Sequence, residues 1–331
     1  MKHTKFGRTG LRVSKLCLGT MTFGLQCDEA QSHAIMDAAA EGGIDFLDAA
    51  DVYPIGGDWT TAGRTEEIIG RWLKGRRERF IVATKCVGKM GRKPWDGGMS
   101  RKHVLDAVDA SLRRLQTDYI DLYQLHSYDP LTPLDEALEA LDAVVKAGKA
   151  RYVGVSNWPA YKVARALGRG ELKNLARIDS VQPRYNLLFR TFERDLLPLC
   201  QEEGIAVIPY NPMAGGFLTG KHDPKGPPTE GTRFTLGKSA GTYTDRYWHE
   251  QQFHTVEEVR KVAAEAGISM AQLAVRWVLS HPAITSPIVG ASKPEQLADS
   301  IAAEAAGPLP ADLKAKLDDL THGWRAIDVE R

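Results

Sequence analysis

The chain reads as an α/β protein folded as a single (β/α)8 barrel, and three observations carry that reading. Eight short apolar runs, each long enough for one strand, are spread along the 331 residues. Segments of helical periodicity separate them, the alternation that builds a parallel sheet. The competing doubly wound fold would carry G-x-G-x-x-G after its first strand, and that spacing occurs nowhere in the chain.

The elements follow in order. Ahead of the first run, Phe6-Gly-Arg-Thr-Gly10-Leu11 has the chemistry of a small β-hairpin with Gly10 in its turn, expected on the barrel floor. Strands are expected over residues 15–18, 45–48, 80–84, 120–125, 152–156, 180–183, 206–209 and 286–289. Asp28 is placed to cap the first helix and Gly42-Gly43 to stop it. Val104, Ala107, Val108 and Leu112 mark one apolar helix face, and Leu134, Ala137, Leu138, Leu141, Val144 and Val145 mark another. Pro133 and Pro159 fall at helix starts, where a missing N–H costs nothing. Residues 221–247, rich in Gly, Pro, Thr and Lys, break the rhythm and read as a long loop on the active-site side of the barrel. Two extra helices near the C-terminus, around residues 255–266 and 270–280, lead into the eighth strand. No linker divides the chain, so one domain is expected over 1–331.

Composition narrows the function. Hydrophobic residues make up 43% and charged residues 26%, with a formal net charge of +1. That balance gives no reason to expect nucleic acid or a membrane surface as partner. Cys17, Cys27, Cys86 and Cys200 form no C-x-x-C pair, so free thiols in a reducing compartment are expected. The first residues lack the apolar stretch of a signal peptide, and no run approaches the length of a membrane span, so the cytoplasm is the expected location.

In a barrel of this kind, strand C-termini converge on one mouth. Here the second strand ends at Asp48 with Tyr53 five residues on, the third at Lys85, the fourth at His126, the fifth at Ser156-Asn157, the sixth at Gln182 and the seventh at Tyr210-Asn211. Any one of these fits a bland role. Tyr53 fits loop packing, His126 a satisfied core histidine, Asn157 a helix cap and Gln182 ordinary loop polarity. Together they support proton transfer to an oxygen forming from a carbonyl. A phenol is a poor acid at neutral pH, a nearby ammonium lowers its pKa, and a carboxylate fixes the ammonium. Tyr53, Lys85 and Asp48 match those three parts, while His126 is suited to donate to the carbonyl oxygen. The electrons then call for an organic donor such as a nicotinamide.

These blocks resemble the aldo-keto reductase superfamily. Gly43-Ile-Asp-Phe-Leu-Asp48-Ala-Ala-Asp-Val-Tyr53, Ile81-Val-Ala-Thr-Lys85, Tyr119-Ile-Asp-Leu-Tyr-Gln-Leu-His126, Val153-Gly-Val-Ser-Asn157, Pro209-Tyr210-Asn-Pro212 and Ile288-Val-Gly-Ala-Ser-Lys293-Pro-Glu-Gln296 follow its signature order, over roughly residues 6–320. The resemblance implies NADPH-dependent reduction of a small aldehyde or ketone, with Tyr53 as general acid and Asp48, Lys85 and His126 completing a tetrad. It implies that Ser156, Asn157 and Gln182 hold the carboxamide and that Tyr210 stacks on the nicotinamide. Asn211, Pro212, Met213, Gly215, Gly216 and Leu218 would line the pyrophosphate. Gly290, Ser292, Lys293 and Gln296 would hold the adenosine 2′-phosphate. The chain departs from many relatives at Ser300, where they carry an Asn that contacts the adenine. Lys293 still argues for the phosphate, with NADH the alternative donor.

Three other features bear on function. Gly215-Gly-Phe-Leu-Thr-Gly220-Lys221 fits G-x-x-x-x-G-K but is followed by His222, so it reads as an anion-cradling turn, with Lys221 beside it, and not as a triphosphatase loop. The basic run from Arg71 to Arg79 reads as a solvated face. The substrate pocket is expected from residues 54–63, 87–99, 127–130 and 221–247, with Trp95, Tyr128 and Trp158, and also Trp248, as candidate walls. Two other function classes stay in view. One is a cofactor-binding regulatory protein on the same barrel. The other is a metal-dependent hydrolase using Asp48, Asp51 and His126, which the lack of an H-x-H or H-x-x-x-H pair disfavours.

Overall fold

The structure, a computed structural model, describes residues 1–325. A hairpin comes first: β1 (His3–Lys5) pairs antiparallel with β2 (Arg12–Ser14). Its turn uses left-handed backbone at Gly7, φ +55°, and not at Gly10. The reason is packing. A Cβ on Gly7 would sit 2.5 Å from the Gly204 carbonyl oxygen, which already accepts from the Arg8 N–H at 2.7 Å. The hairpin is thereby clamped against the start of the seventh barrel strand, closing the floor as expected.

Eight parallel strands follow. They are β3 (Cys17–Gly19), β4 (Phe46–Asp48), β5 (Ile81–Cys86), β6 (Ile120–Leu125), β7 (Ala150–Ser156), β8 (Ile178–Gln182), β9 (Ala206–Val207) and β10 (Ile288–Gly290), in the order β10-β3-β4-β5-β6-β7-β8-β9. The two ends of that sheet meet. Thr285 N–H donates to Val207 O at 2.9 Å and Ile288 N–H to Pro209 O at 2.8 Å, which closes the (β/α)8 ring.

Around it run α1 (Glu29–Glu41), α2 (Arg64–Leu73), α3 (Arg101–Leu115), α4 (Leu134–Lys146), α5 (Ala160–Leu172), α6 (Leu196–Glu203), α7 (Ala240–Tyr247), α8 (Glu250–Ala266), α9 (Met270–Leu279), α10 (Leu297–Ala306) and α11 (Ala311–Leu320). Asp28 caps α1 by accepting the Gln31 N–H at 2.8 Å, and the chain leaves that helix through Gly42 and a left-handed Gly43. Pro133 and Pro159 are themselves the N-cap residues of α4 and α5. The long loop needs correction: after residue 236 the chain forms a single tight turn and then α7. Its Gly and Thr content is poor for a helix, but burial of Tyr243 and Tyr247, one turn apart, stabilises it.

Alternation along the strands sorts the barrel interior into layers. Phe46, Ala83 and Leu122 pack with Phe6 and Val13 in the lower apolar layer. Two residues further along the same strands stand Asp48, Lys85 and Gln124, all buried, joined by Gln182 from β8. Gly154 leaves room in this layer: a Cβ there would lie 2.1 Å from Ser180 Oγ. The change from apolar to polar within one step marks the mouth.

Elsewhere, Arg71, Arg76 and Arg77 of the basic run pair with Glu29, Asp37 and Asp121. The four cysteines are buried and unbridged. No single helix among the described residues is long and apolar enough to cross a membrane.

Candidate active site

The polar layer is a connected network. Lys85 is fully buried, and its Nζ donates to Asp48 Oδ2 at 2.6 Å, to the Ala49 carbonyl at 2.7 Å and to the Tyr53 hydroxyl at 3.5 Å. The other Asp48 oxygen accepts from Gln182 at 2.8 Å and from Gln124 at 3.4 Å. A buried ion pair is tolerable only when its remaining lone pairs are met, and here they are. The Tyr53 ring stands edge-on to the His126 ring, with centroids 5.7 Å apart. Tyr53, His126 and Asp48 line one cavity of about 390 Å³, together with Ser156, Asn157, Gln182 and Tyr210. The strand-end residues therefore do converge.

Electrostatics revise one expectation. Burial pushes the Tyr53 hydroxyl up, and the Lys85 charge, which pulls it down, does not fully offset that. The phenol is therefore raised, not lowered, and keeps its proton at neutral pH. Burial also works against the charge on Lys85, but Asp48 and Tyr53 together outweigh it and hold the ammonium above its ordinary pKa. For His126, burial and then the Lys85 charge push the imidazole down to about 3, so it is neutral. A neutral phenol and a neutral imidazole therefore line the cavity, with a charged lysine buried behind the phenol.

Asn157 is not the helix cap. It takes left-handed backbone, φ +57°, and its amide ties three strand ends together. Nδ2 donates to His126 O and Ser156 Oγ, each at 3.0 Å, while Oδ1 accepts from the Tyr210 hydroxyl at 2.8 Å. Ser156 Oγ in turn donates to Gln182 O at 2.8 Å.

A second cavity, about 410 Å³, adjoins the first, with Ile288 in both walls. Asn211, Pro212, Met213, Gly215, Gly216 and Lys221 form one side, and Gly290, Ser292 and Gln296 the other. Gly215 and Gly216 are both left-handed, φ +69° and +97°, which leaves their side bare of Cβ atoms. Asn211 Nδ2 is buried without a partner. Leu218 is instead packed in the core, Ser300 is buried in α10, and Lys293 is exposed beside Ser292; none of the three lines this cavity.

The substrate candidates also lie elsewhere. Tyr128 and Trp158 pack edge-to-face at 5.0 Å, Trp158 buried, while Trp95 is 48% exposed. Trp248 belongs to an aromatic cluster with Phe217, Phe234 and Phe253. Aromatic residues on loops pack against one another when they can, which removes them from the cavity wall. The apolar wall is instead Met21, Val52, Pro54, Ile55 and Tyr243.

Sequence reasoning missed Arg233, Tyr243, Arg246 and Gln124. Arg233 lines the second cavity and donates to Asn211 Oδ1 at 3.1 Å. The first three sit in residues 221–247, the stretch expected to help wall the pocket but in which none of the three was singled out. Gln124 was legible in principle, two residues before His126 and in register with Lys85. Asp51 is fully buried, and its carboxyl is raised well above the usual range by burial and by Glu66. It lines neither cavity, so Asp48, Asp51 and His126 do not converge as ion ligands.

Known proteins place this geometry. The Aldo/keto reductase family model matches residues 15–322. An uncharacterized oxidoreductase, YrpG of Bacillus subtilis, is 39% identical over 92% of this chain and 91% of its own length. A probable voltage-gated potassium channel subunit beta of rice, Oryza sativa, is 35% identical over 92% and 91%. Versiconal hemiacetal acetate reductase of Aspergillus parasiticus is 33% identical over 91% and 92%. Matches of this extent and names of this kind support an oxidoreductase. The chain belongs to the aldo/keto reductase family.

Proposed function

We propose that the chain reduces an aldehyde or ketone to an alcohol with NADPH, Tyr53 donating the proton. The observation that carries this reading is the buried Lys85 ammonium, held 2.6 Å from Asp48 and 3.5 Å from the hydroxyl of Tyr53, which lines the cavity.

The residues fit a nicotinamide dinucleotide. The orphaned Asn211 amide, the bare left-handed glycines 215 and 216, and the Lys221 and Arg233 cations together suit a pyrophosphate. Among the described residues, neither cation forms an ion pair with a carboxylate. Ser156, Asn157 and Gln182 line the adjoining wall with groups able to hold a carboxamide, and Tyr210 offers a ring face. Lys293 is the cation nearest in sequence to Ser292 and Gln296, which favours the 2′-phosphorylated donor over NADH. A nicotinamide bound there supplies hydride to the carbonyl carbon.

The chain's own groups do the rest. The raised phenol arrives protonated, and its proton passes to the carbonyl oxygen as negative charge develops on it. Lys85 then stabilises the phenolate left behind, and Asp48 keeps the ammonium within reach. Neutral His126 has a ring N–H to offer the same oxygen, without a charge to dissipate. Ala49 O and Asp48 both accept from Lys85, which fixes the ammonium beside the phenol in advance.

A second reading rests on the rice relative named as a channel β subunit: a regulatory chain that binds the cofactor with little turnover. NADPH absorbance followed with a panel of aldehydes and ketones separates the two. Consumption with at least one substrate is expected; tight cofactor binding without consumption across the panel would favour the regulatory reading.

A further inference from the structure

Helix α7 and its N-cap residue Ser239 present Ser239, Thr242, Tyr243 and Arg246 to the cavity lined by Tyr53 and His126. These positions, spaced i, i+3, i+4 and i+7, form one helix face. A helix laid over a cavity normally turns apolar groups inward. This one turns in hydroxyls and a guanidinium.

Arg246 is half-buried, and among the described residues it forms no ion pair and no hydrogen bond. Asp245 beside it is exposed and does not pair with it. Among the described residues, the one carboxylate in the cavity wall, Asp48, is already taken by Lys85. A second guanidinium, Arg184, lies nearby with its charge over the Phe189 ring at 3.5 Å and likewise has no carboxylate partner among the described residues. Burial, and with it the Arg246 charge, lowers the Arg184 guanidinium, and both cations pull the Tyr210 hydroxyl down against burial, so both act on this end of the cavity. A half-buried guanidinium without a counter-ion leaves a desolvation cost that an incoming anion would relieve.

We infer that Arg246 is a specificity residue that anchors a carboxylate or similar anionic group on the carbonyl substrate. The preferred substrates are then aldehydes or ketones bearing an acid at the end remote from the carbonyl. The inference rests on the reductase reading above and adds the substrate class to it. Thr242, one turn before Arg246 on the same face and also in the wall, offers the anion a hydroxyl donor.

The test compares 4-carboxybenzaldehyde with its neutral isostere 4-formylbenzamide, using the full chain and NADPH. Calorimetric binding of 4-(hydroxymethyl)benzoate in the presence of NADPH, a pair with no hydride acceptor, gives a readout independent of turnover. A charge-assisted contact of this kind predicts a kcat/KM preference for the acid of about tenfold to a hundredfold. In Arg246→Gln that ratio falls to near unity through KM, while Arg246→Lys retains part of it. Equal use of acid and amide by the parent chain overturns the inference, as does a ratio unchanged in Arg246→Gln. Weaker NADPH binding in that variant with an unchanged ratio overturns it too, since the guanidinium then serves the cofactor. Should neither aldehyde be reduced, hydroxymethylbenzoate binding that Arg246→Gln abolishes supports the anion site, and the wider panel decides the reductase reading separately. No binding to the parent chain overturns the inference and leaves the reductase reading to the panel.

Discussion

Replacing Lys85 by Met tests the buried pair on which the proposed chemistry stands. The substitution keeps most of the side-chain volume and removes the charge, leaving Asp48 with only the Gln182 and Gln124 amides in a site that is 3% exposed. Removing one partner of a buried ion pair costs about 3–5 kcal/mol, because the other charge stays behind. Unfolding entropy of roughly 2.1 cal/mol/K per residue gives a chain of this length about 0.7 kcal/mol/K, so Tm should fall by about 4–7 °C. Deleting both charges in Asp48→Asn/Lys85→Met removes the stranded carboxylate, so the double variant should melt above the single one. Turnover should fall in both, on the order of a hundredfold or more, since the phenolate loses its stabilising cation. The assay is calorimetric or circular-dichroism melting beside NADPH oxidation. A single variant melting within about 1 °C of the parent would refute the claim that Lys85 and Asp48 hold each other's charge.

Two further perturbations test the fold around the site. His222 is boxed by Phe217, Phe234 and Trp248, and burial followed by the Lys221 charge lowers it to about 4. Unfolded histidine titrates near ~6.5, so between those values the folded chain binds fewer protons than the unfolded one. The stability contributed is full above that range and is lost as pH falls toward 4; His126, lowered to about 3, acts in the same direction. Urea midpoints should therefore drop on acidification, and less steeply in His222→Asn; an identical slope in the variant contradicts the assignment. Gly70 packs α2 against α3, and a Cβ there would lie 2.4 Å from the Arg114 carbonyl oxygen and 2.8 Å from the Leu115 carbonyl carbon. Helix propensity favours Gly70→Ala by up to ~1 kcal/mol, but backbone overpacking costs about 1–3 kcal/mol, so the variant should melt lower. A higher Tm would show that the two helices can separate at little cost.

Much of this arrangement was legible because a strand's alternation is short-range. Residues 120–125 read as a strand with the bounds observed, and Asp48, Lys85 and Gln182 were located by lying at the ends of such runs. Asp28 was legible as a cap because its bond to Gln31 spans three residues. What escaped depends on distance in sequence. The turn of the hairpin is decided by the Gly204 carbonyl, nearly two hundred residues from Gly7, and nothing local to Gly10 reveals it. A cap stayed open as the bland role for Asn157 because its partners, His126 and Tyr210, come from other strands. The raised Tyr53 hydroxyl reflects a balance of burial against charge that spacing cannot weigh. Helix α7 escaped because Thr242 and Arg246 share its inward side with Tyr243 and Tyr247, which breaks up the apolar stripe that marks a helix.

The central claim is that the Tyr53 hydroxyl delivers the proton, and its most direct measurement is single-turnover reduction by Tyr53→Phe alongside NADPH binding to the same variant. The ring and its packing on His126 survive the change, so cofactor affinity should stay within about twofold while the hydride step slows by roughly 10²–10⁴. Reduction at near the parent rate, with cofactor affinity intact, would contradict that account.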